Sequence, residues 1–300
     1  MKVLITGSNG LLGQKLVSFC TENHIDFLAV SKGPNRNPEC PESLYTSLDL
    51  TDEVNAIDFF TKHTFSHCIH TAAMTNVDAC EQDPANCMEV NQHASNRLFD
   101  LSMQKEVFFL LLSTDFVFDG ATGNYAEEDL PNPLSVYGNS KFLSEQHMLH
   151  SGYSNWAIAR TIIVYGKGYA LNKSNIFTWL LTELKSKKTV NLLTDQFRAP
   201  TWADDLAWGC MQILQLGEKG IFHLCGPETL SIYEIGIRVA KHIGADVNLV
   251  QKSDTTTLNQ AAKRPPHTGF DLSKSCKILK YTPKRIEETL DSLMELGQFS

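Results

Sequence analysis

Residues 3–13 read VLITGSNGLLG, an apolar run that stops at a glycine-rich turn and passes at once into a helical pattern. Few stretches restrict a fold more. Gly7, Gly10 and Gly13 stand in the spacing GxxGxxG. One glycine permits the tight turn, another lets the backbone approach a pyrophosphate, and the third lets helix and strand pack closely. The anion then meets free N–H groups at the positive end of the helix dipole. A first strand ending this way is expected to open a sheet that binds a dinucleotide.

The first half of the chain keeps that rhythm. IDFLAV (25–30), LYTSLDL (44–50), SHCIHTAA (66–73) and VFFLLLS (107–113) read as strands, with helical patterns at 11–22, 52–62 and 86–104 between them. VFFLLLS is almost wholly apolar, as a central parallel strand covered on both faces should be. The alternation predicts a Rossmann-type, doubly wound parallel α/β sheet. After WAIARTIIVYG (156–166) the pattern loosens, with helices expected near 174–186, 204–215, 231–243 and 285–296 and short strands near 189–193 and 221–224. The expected organisation is an NAD(P)-binding domain over 1–166, to which strands near 189–224 contribute, and a smaller C-terminal α/β substrate-binding domain over most of 167–300. That second part should cover the carboxyl ends of the strands, where open α/β sheets bind ligands.

Composition narrows the class. With 42% hydrophobic and 20% charged residues, the chain suits a well-packed enzyme. A net charge of −8 disfavours a nucleic-acid partner. No apolar run approaches the ~18 residues of a membrane span, and MKVLITGS lacks the longer apolar core of a secretory peptide. The expectation is a cytoplasmic protein, monomer or homodimer, engaging neither membrane nor nucleic acid. The eight cysteines, without CxxC pairs, read as reduced thiols. His67 and His70 would point to opposite faces of a strand, and His147 and His150 lack a third ligand, so no metal site is expected.

Cofactor choice is legible at the end of the second strand. An NAD site usually places a carboxylate there for the ribose 2′-hydroxyl. This chain has Ser31 and Lys32, with Arg36 nearby. A hydroxyl and cations suit a 2′-phosphate, so NADP(H) is preferred and NAD(H) is the second possibility.

Two tyrosine–lysine pairs at i and i+4 compete as an active site: Tyr137–Lys141 in VYGNSK and Tyr169–Lys173 in YALNK. The first opens a run of good helix formers and so shares one helix face. It also follows a buried strand that delivers Ser113, Thr114 and Asp115 to the carboxyl edge of the sheet. The second pair sits in a loop and reads as coincidence. A ketone reductase needs a proton donor as hydride arrives, a cation that stabilises the donor's anion, and a hydroxyl for the developing oxyanion. Tyr137, Lys141 and Thr114 fill those roles.

The glycine spacing is that of the extended short-chain dehydrogenases/reductases. STDFVFDGATGNYAEEDLPNPLSVYGNSK resembles the active-site segment of dTDP-4-dehydrorhamnose reductases, and the likeness continues through HTAAMTNVDACEQDPANCMEVN, ARTIIVYG, DQFRAPTWADDLA, GIFHLCG and RPPHTGFDLSK. It implies NAD(P)H-dependent reduction of a nucleotide-linked 4-keto-6-deoxy sugar. Cofactor contacts implied alongside the glycines are Asn9, Leu11 and Leu12 in the loop, Asp49 and Leu50 beside the adenine, and Ala72, Ala73 and Thr75 along the channel. Implied substrate contacts are Val77, Thr114, Asn175, Phe197 and Arg264, the last as partner of a diphosphate. Related dehydratases carry a glutamate where this chain has Phe116, which argues against dehydration. The competing readings are a non-catalytic, NADP-binding regulatory subunit resembling the methionine adenosyltransferase β subunit, and another extended-family sugar-nucleotide reductase or epimerase.

Overall fold

A computed structural model describes residues 1–171, 175–257 and 260–294. The first half alternates as its pattern dictates: β1 (Lys2–Thr6), α1 (Leu11–Glu22), β2 (Asp26–Ser31), β3 (Tyr45–Ser47), α2 (Glu53–Lys62) and β4 (His67–His70). Two short helices, α3 (Val77–Gln82) and α4 (Pro84–Met88), lead through one wide π turn (Glu89–His93) into α5 (Ala94–Gln104). β5 (Phe108–Thr114), α6 (Val136–Leu149) and β6 (Trp156–Thr161) complete this half. The single helix expected over 86–104 is therefore interrupted, and the interruption sits at Asn91, whose side chain is drawn off to bind another segment.

The remainder runs through β7 (Val164–Tyr165), α7 (Ile176–Lys185), β8 (Val190–Leu193), β9 (Phe197–Arg198) and β10 (Thr201–Trp202). It continues with α8 (Ala203–Leu216), β11 (Gly220–His223), β12 (Leu230–Ser231), α9 (Ile232–His242) and β13 (Val250–Ser253). It closes with β14 (His267–Thr268), α10 (Ser273–Leu279) and α11 (Glu287–Met294).

Seven strands form one sheet in the order β3–β2–β1–β4–β5–β6–β11, every neighbouring pair parallel. β5 is buried at all seven positions, which explains its unbroken apolar sequence. α1 and α8 cover one face through Leu16, Val17, Leu206 and Cys210, while α2, α5 and α6 cover the other through Phe59, Phe60, Leu98 and Met148. The strand order reverses between β1 and β4, so a crevice opens at their carboxyl ends.

Of the two later strands expected to join this sheet, β11 does and β8 does not. β8 pairs instead with β13 in a separate two-stranded sheet, packed on α7 and α9. The physical reason is that Leu192 and Val190 bury against α7, α9 and α11 rather than against the large sheet. WAIARTIIVYG also breaks after Thr161. Ile163 adopts φ 34°, a costly conformation for a β-branched residue, and turns β7 away to pair with β10.

Candidate active site

A cavity of about 780 Å³ lies over the crevice between β1 and β4, walled on its far side by residues of the second half. Asn9, Gly10, Leu11, Leu12 and Gly13 form its floor; Ala73, Thr75 and Val77 follow from β4. Thr114, Tyr137 and Lys141 line the same space, as do Asn175 and Arg264.

The floor fits an anion. Gly7 has φ +69°, and a Cβ on it would lie 2.7 Å from the Ala72 nitrogen. A Cβ on Gly13 would meet the Gly7 carbonyl at 2.3 Å. The turn thus requires glycine at both places. α1 starts at Gly10 with no side-chain cap and no acidic residue in its first turn, leaving its N-terminal amides to the cavity side. Ser8, beside them, is buried with no hydrogen-bond partner for its hydroxyl. These residues suit a dinucleotide pyrophosphate.

Ser31, Lys32, Asp49 and Leu50 lie outside the cavity lining, with Gly7 and Ala72 just behind it. Lys32 pairs with Asp49 at 2.7 Å, so the cation expected near a 2′-phosphate is occupied by the carboxylate expected near the adenine. That pairing, ahead of Thr51, holds the Asp49 pKa below its ordinary value. Arg36 lines the cavity instead. Asn9 arranges this: its Oδ1 accepts from the Arg36 backbone N–H at 2.9 Å and its Nδ2 donates to the Pro34 carbonyl at 2.9 Å, folding the loop after β2 onto the glycine turn.

α6 carries the tyrosine and lysine on one face, as their spacing requires. Ser135 caps it, accepting from the Gly138 N–H at 3.1 Å. A Cβ at Gly138 would lie 2.2 Å from the Phe116 carbonyl, so glycine lets the helix press against the loop that carries Thr114. Burial pushes the Tyr137 pKa well above the ordinary phenol value, the adjacent Thr114 hydroxyl working against it. Burial also draws Lys141 down to about 8, with Glu145 one turn on opposing the fall. Thr114 Oγ1 accepts from the Phe116 N–H at 3.2 Å and donates to Asp115 Oδ1 at 3.0 Å. Asp115 is buried, which raises its pKa, and its other oxygen accepts from Thr268 at 2.5 Å.

Apart from Gly138 and Met148, the buried positions of α6 are polar: Ser140, Lys141, Ser144 and Glu145. Such a face is stable only if every group has a partner. Arg160 on β6 clasps Glu145 at 2.6 Å, both fully buried. Asn91, from the π turn, donates to Ser140 Oγ at 3.1 Å, and its carbonyl accepts from Ser144 at 2.9 Å. The same side chain exchanges hydrogen bonds with the Met74 backbone at 2.7 and 3.0 Å, bracing the segment after β4. Asn91 escaped the sequence reading. Its only signal was a polar residue on what looked like an ordinary helix.

Among the implied substrate contacts, Val77 opens α3 in the lining, while Asn175 spends its Oδ1 capping α7. Phe197 is not in the lining. Strand alternation turns Gln196 and Arg198 to the cavity and Phe197 away, against the His267 ring. That alternation was available in DQFRAP and would have selected Arg198. Arg264 faces the cavity and is engaged by Asp78, at 2.6 Å.

Tyr169 is not in the cavity lining but is not idle. Its backbone N–H donates to Gln14 Oε1 at 2.7 Å and its carbonyl accepts from Gln14 Nε2 at 2.8 Å, strapping the loop onto α1. Lys173 falls outside the described residues. His70 bridges Thr6 and Ser95 at 2.7 and 2.8 Å, and His147 meets Asp100 at 2.7 Å. Among the described residues no group of three metal-ligating side chains converges, and no helix is long and apolar enough to cross a membrane.

The RmlD substrate binding domain family matches residues 1–298. The probable low-salt glycan biosynthesis reductase Agl14 of Haloferax volcanii is 30% identical, over 98% of this chain and 97% of its own. The methionine adenosyltransferase 2 subunit beta of Bos taurus is also 30% identical, over 95% of this chain and 85% of its own. Among solved structures, a hypothetical dTDP-4-dehydrorhamnose reductase from Sulfolobus tokodaii superimposes with TM-score 0.83 at 29% identity, covering 97% of this chain and 98% of that one.

Proposed function

The chain belongs to the RmlD substrate binding domain family, and from that premise we propose that it is an NAD(P)H-dependent reductase of a nucleotide-linked 4-keto-6-deoxy sugar. One observation carries the reading: Thr114, Tyr137 and Lys141 meet in a single cavity whose floor is an uncapped helix N-terminus behind a glycine turn.

When bound, a nicotinamide dinucleotide supplies the hydride; the chain supplies the proton and the orientation. Tyr137 remains a phenol at neutral pH and can give its proton to the sugar oxygen. Lys141, as ammonium, stabilises the phenolate left behind. Thr114 directs the carbonyl, and Asp115 prepares it. Asp115 Oδ1 accepts from Thr114 Oγ1 at 3.0 Å and so fixes the direction of that hydroxyl beside the cavity. Arg36 in the lining supports NADP(H) over NAD(H), since guanidinium pairs well with a 2′-phosphate. The 1–166 and 167–300 division is proposed as cofactor and substrate halves, with α8 and β11 returning to the first.

Likeness to a methionine adenosyltransferase β subunit supports a second reading, cofactor binding without turnover. The complete threonine, tyrosine and lysine set favours turnover. Tyr137→Phe discriminates. It should cut ketone reduction by about 10²- to 10⁴-fold while NADPH binding, read by fluorescence titration, stays within a factor of two or so. An unchanged rate would dismiss the assignment.

A further inference from the structure

The guanidinium of Arg264 already grips a carboxylate. Its two terminal nitrogens meet the two oxygens of Asp78 at 3.1 and 2.6 Å, a bidentate pairing. Asp78 stands in the first turn of α3, directly after the cavity residue Val77. Its Oδ1 also accepts from the Ala262 N–H at 3.1 Å, and Arg264 donates to the Ala262 carbonyl at 3.3 Å. The pair therefore ties a helix of the first half to the 262–264 segment of the second, at the edge of the cavity.

A carboxylate presents to guanidinium the same planar pair of oxygens that a phosphate does. Asp78 thus covers the face of Arg264 that an anionic ligand group would use. A second guanidinium, Arg198, lines the same cavity, with Asp115 3.9 Å from its Nε. The terminal nitrogens of Arg198 are taken by the Phe197 and Pro266 carbonyls and Gln196 Oε1, so of the two an entering anion meets a hydrogen-bonded acid only at Arg264. Asp78 is the one positioned to yield: its side chain is 36% exposed and Arg264's 17%, whereas Asp115 and Arg198 are at 4% and 3%. Separating a part-exposed pair costs little because water takes over the freed carboxylate.

We propose that Asp78 is an internal competitor for Arg264, released when the diphosphate of a nucleotide ligand takes its place, so that this one acid sets how tightly the ligand binds. The inference rests on the reading of Arg264 as the diphosphate partner.

A thermodynamic cycle tests both and separates them. Binding of dTDP to the full chain is measured by calorimetry for wild type, Asp78→Asn, Arg264→Ala and the double variant. Asparagine keeps the acceptor for Ala262, and thermal unfolding verifies each fold; Asp78→Ser is the substitute where Asn perturbs it. Competition predicts about threefold to tenfold tighter binding for D78N, weaker binding for R264A, and no tightening when D78N is added to R264A. Equal tightening in both backgrounds would reduce Asp78 to a general negative charge and overturn the proposal. So would weaker binding by D78N, which would make the pair a brace that preorganises the site. Unchanged binding by R264A would remove Arg264 from the ligand and take the inference with it.

Discussion

In the proposed reaction, Lys141 concentrates the chemistry of the site at a single nitrogen. Buried in the wall of a cavity, it titrates at about 8 instead of the usual range above 10. Its ammonium is present below that pH and is lost as pH rises through it. The kcat/KM for ketone reduction should therefore fall above about pH 8, and Lys141→Arg, whose guanidinium does not titrate there, should flatten that limb in whatever activity it retains. A wild-type limb that persists unchanged in the arginine variant would assign the titration to another group. Arg36 carries the cofactor prediction at this scale. Losing one charge-assisted contact of ~1.5–3 kcal/mol, Arg36→Ser should lower the NADPH-over-NADH ratio of kcat/KM by about tenfold to a hundredfold. Single residues were legible where spacing reports geometry. Tyr137 and Lys141 follow from one helical turn. Lys32 was read by its sequence position alone, and position could not reveal that Asp49, folding back from the end of β3, neutralises it.

At the scale of elements, α6 decides whether the site forms. Its inward face is polar apart from Gly138 and Met148, so its place depends on partners from three other segments: Arg160 on β6, Asn91 in the π turn and Phe116 after β5. Arg160→Met keeps length but leaves Glu145 buried and unpaired, a change worth about 3–5 kcal/mol. Urea unfolding should show that loss, and a shift below ~1 kcal/mol would mean that the pair contributes little to the fold. Strands and helices of the first half were legible because a sheet covered on both faces imposes long apolar runs. The π turn was not, because its cause is a contact between Asn91 and Met74, seventeen residues apart and on different elements. β8 was misplaced for a related reason. A short apolar strand carries no mark of which sheet it will join, and its packing on α7 and α9 decided.

Across the whole molecule, the parallel sheet positions the glycine turn, Thr114 and α6, and the second half supplies the wall that faces them. β9 and β14 hold Arg198 and Thr268 against Asp115, so the far wall touches the segment that follows β5 directly. Through Asp115 this contact reaches the Thr114 hydroxyl, and in the proposed reaction it links substrate recognition to the orientation of the carbonyl. The chain's identity to a probable glycan biosynthesis reductase and to a methionine adenosyltransferase subunit is equal, at 30%, so overall likeness cannot separate turnover from binding. Hydride transfer does. The protein should be mixed with a dTDP-4-keto-6-deoxyhexose and NADPH carrying deuterium at the transferred position of its nicotinamide, and the sugar product analysed by mass spectrometry and NMR. The account predicts one NADPH oxidised per sugar reduced, with deuterium on carbon 4 of the product. NADPH that binds but is not oxidised, across dTDP-, UDP- and GDP-linked keto sugars, would contradict it.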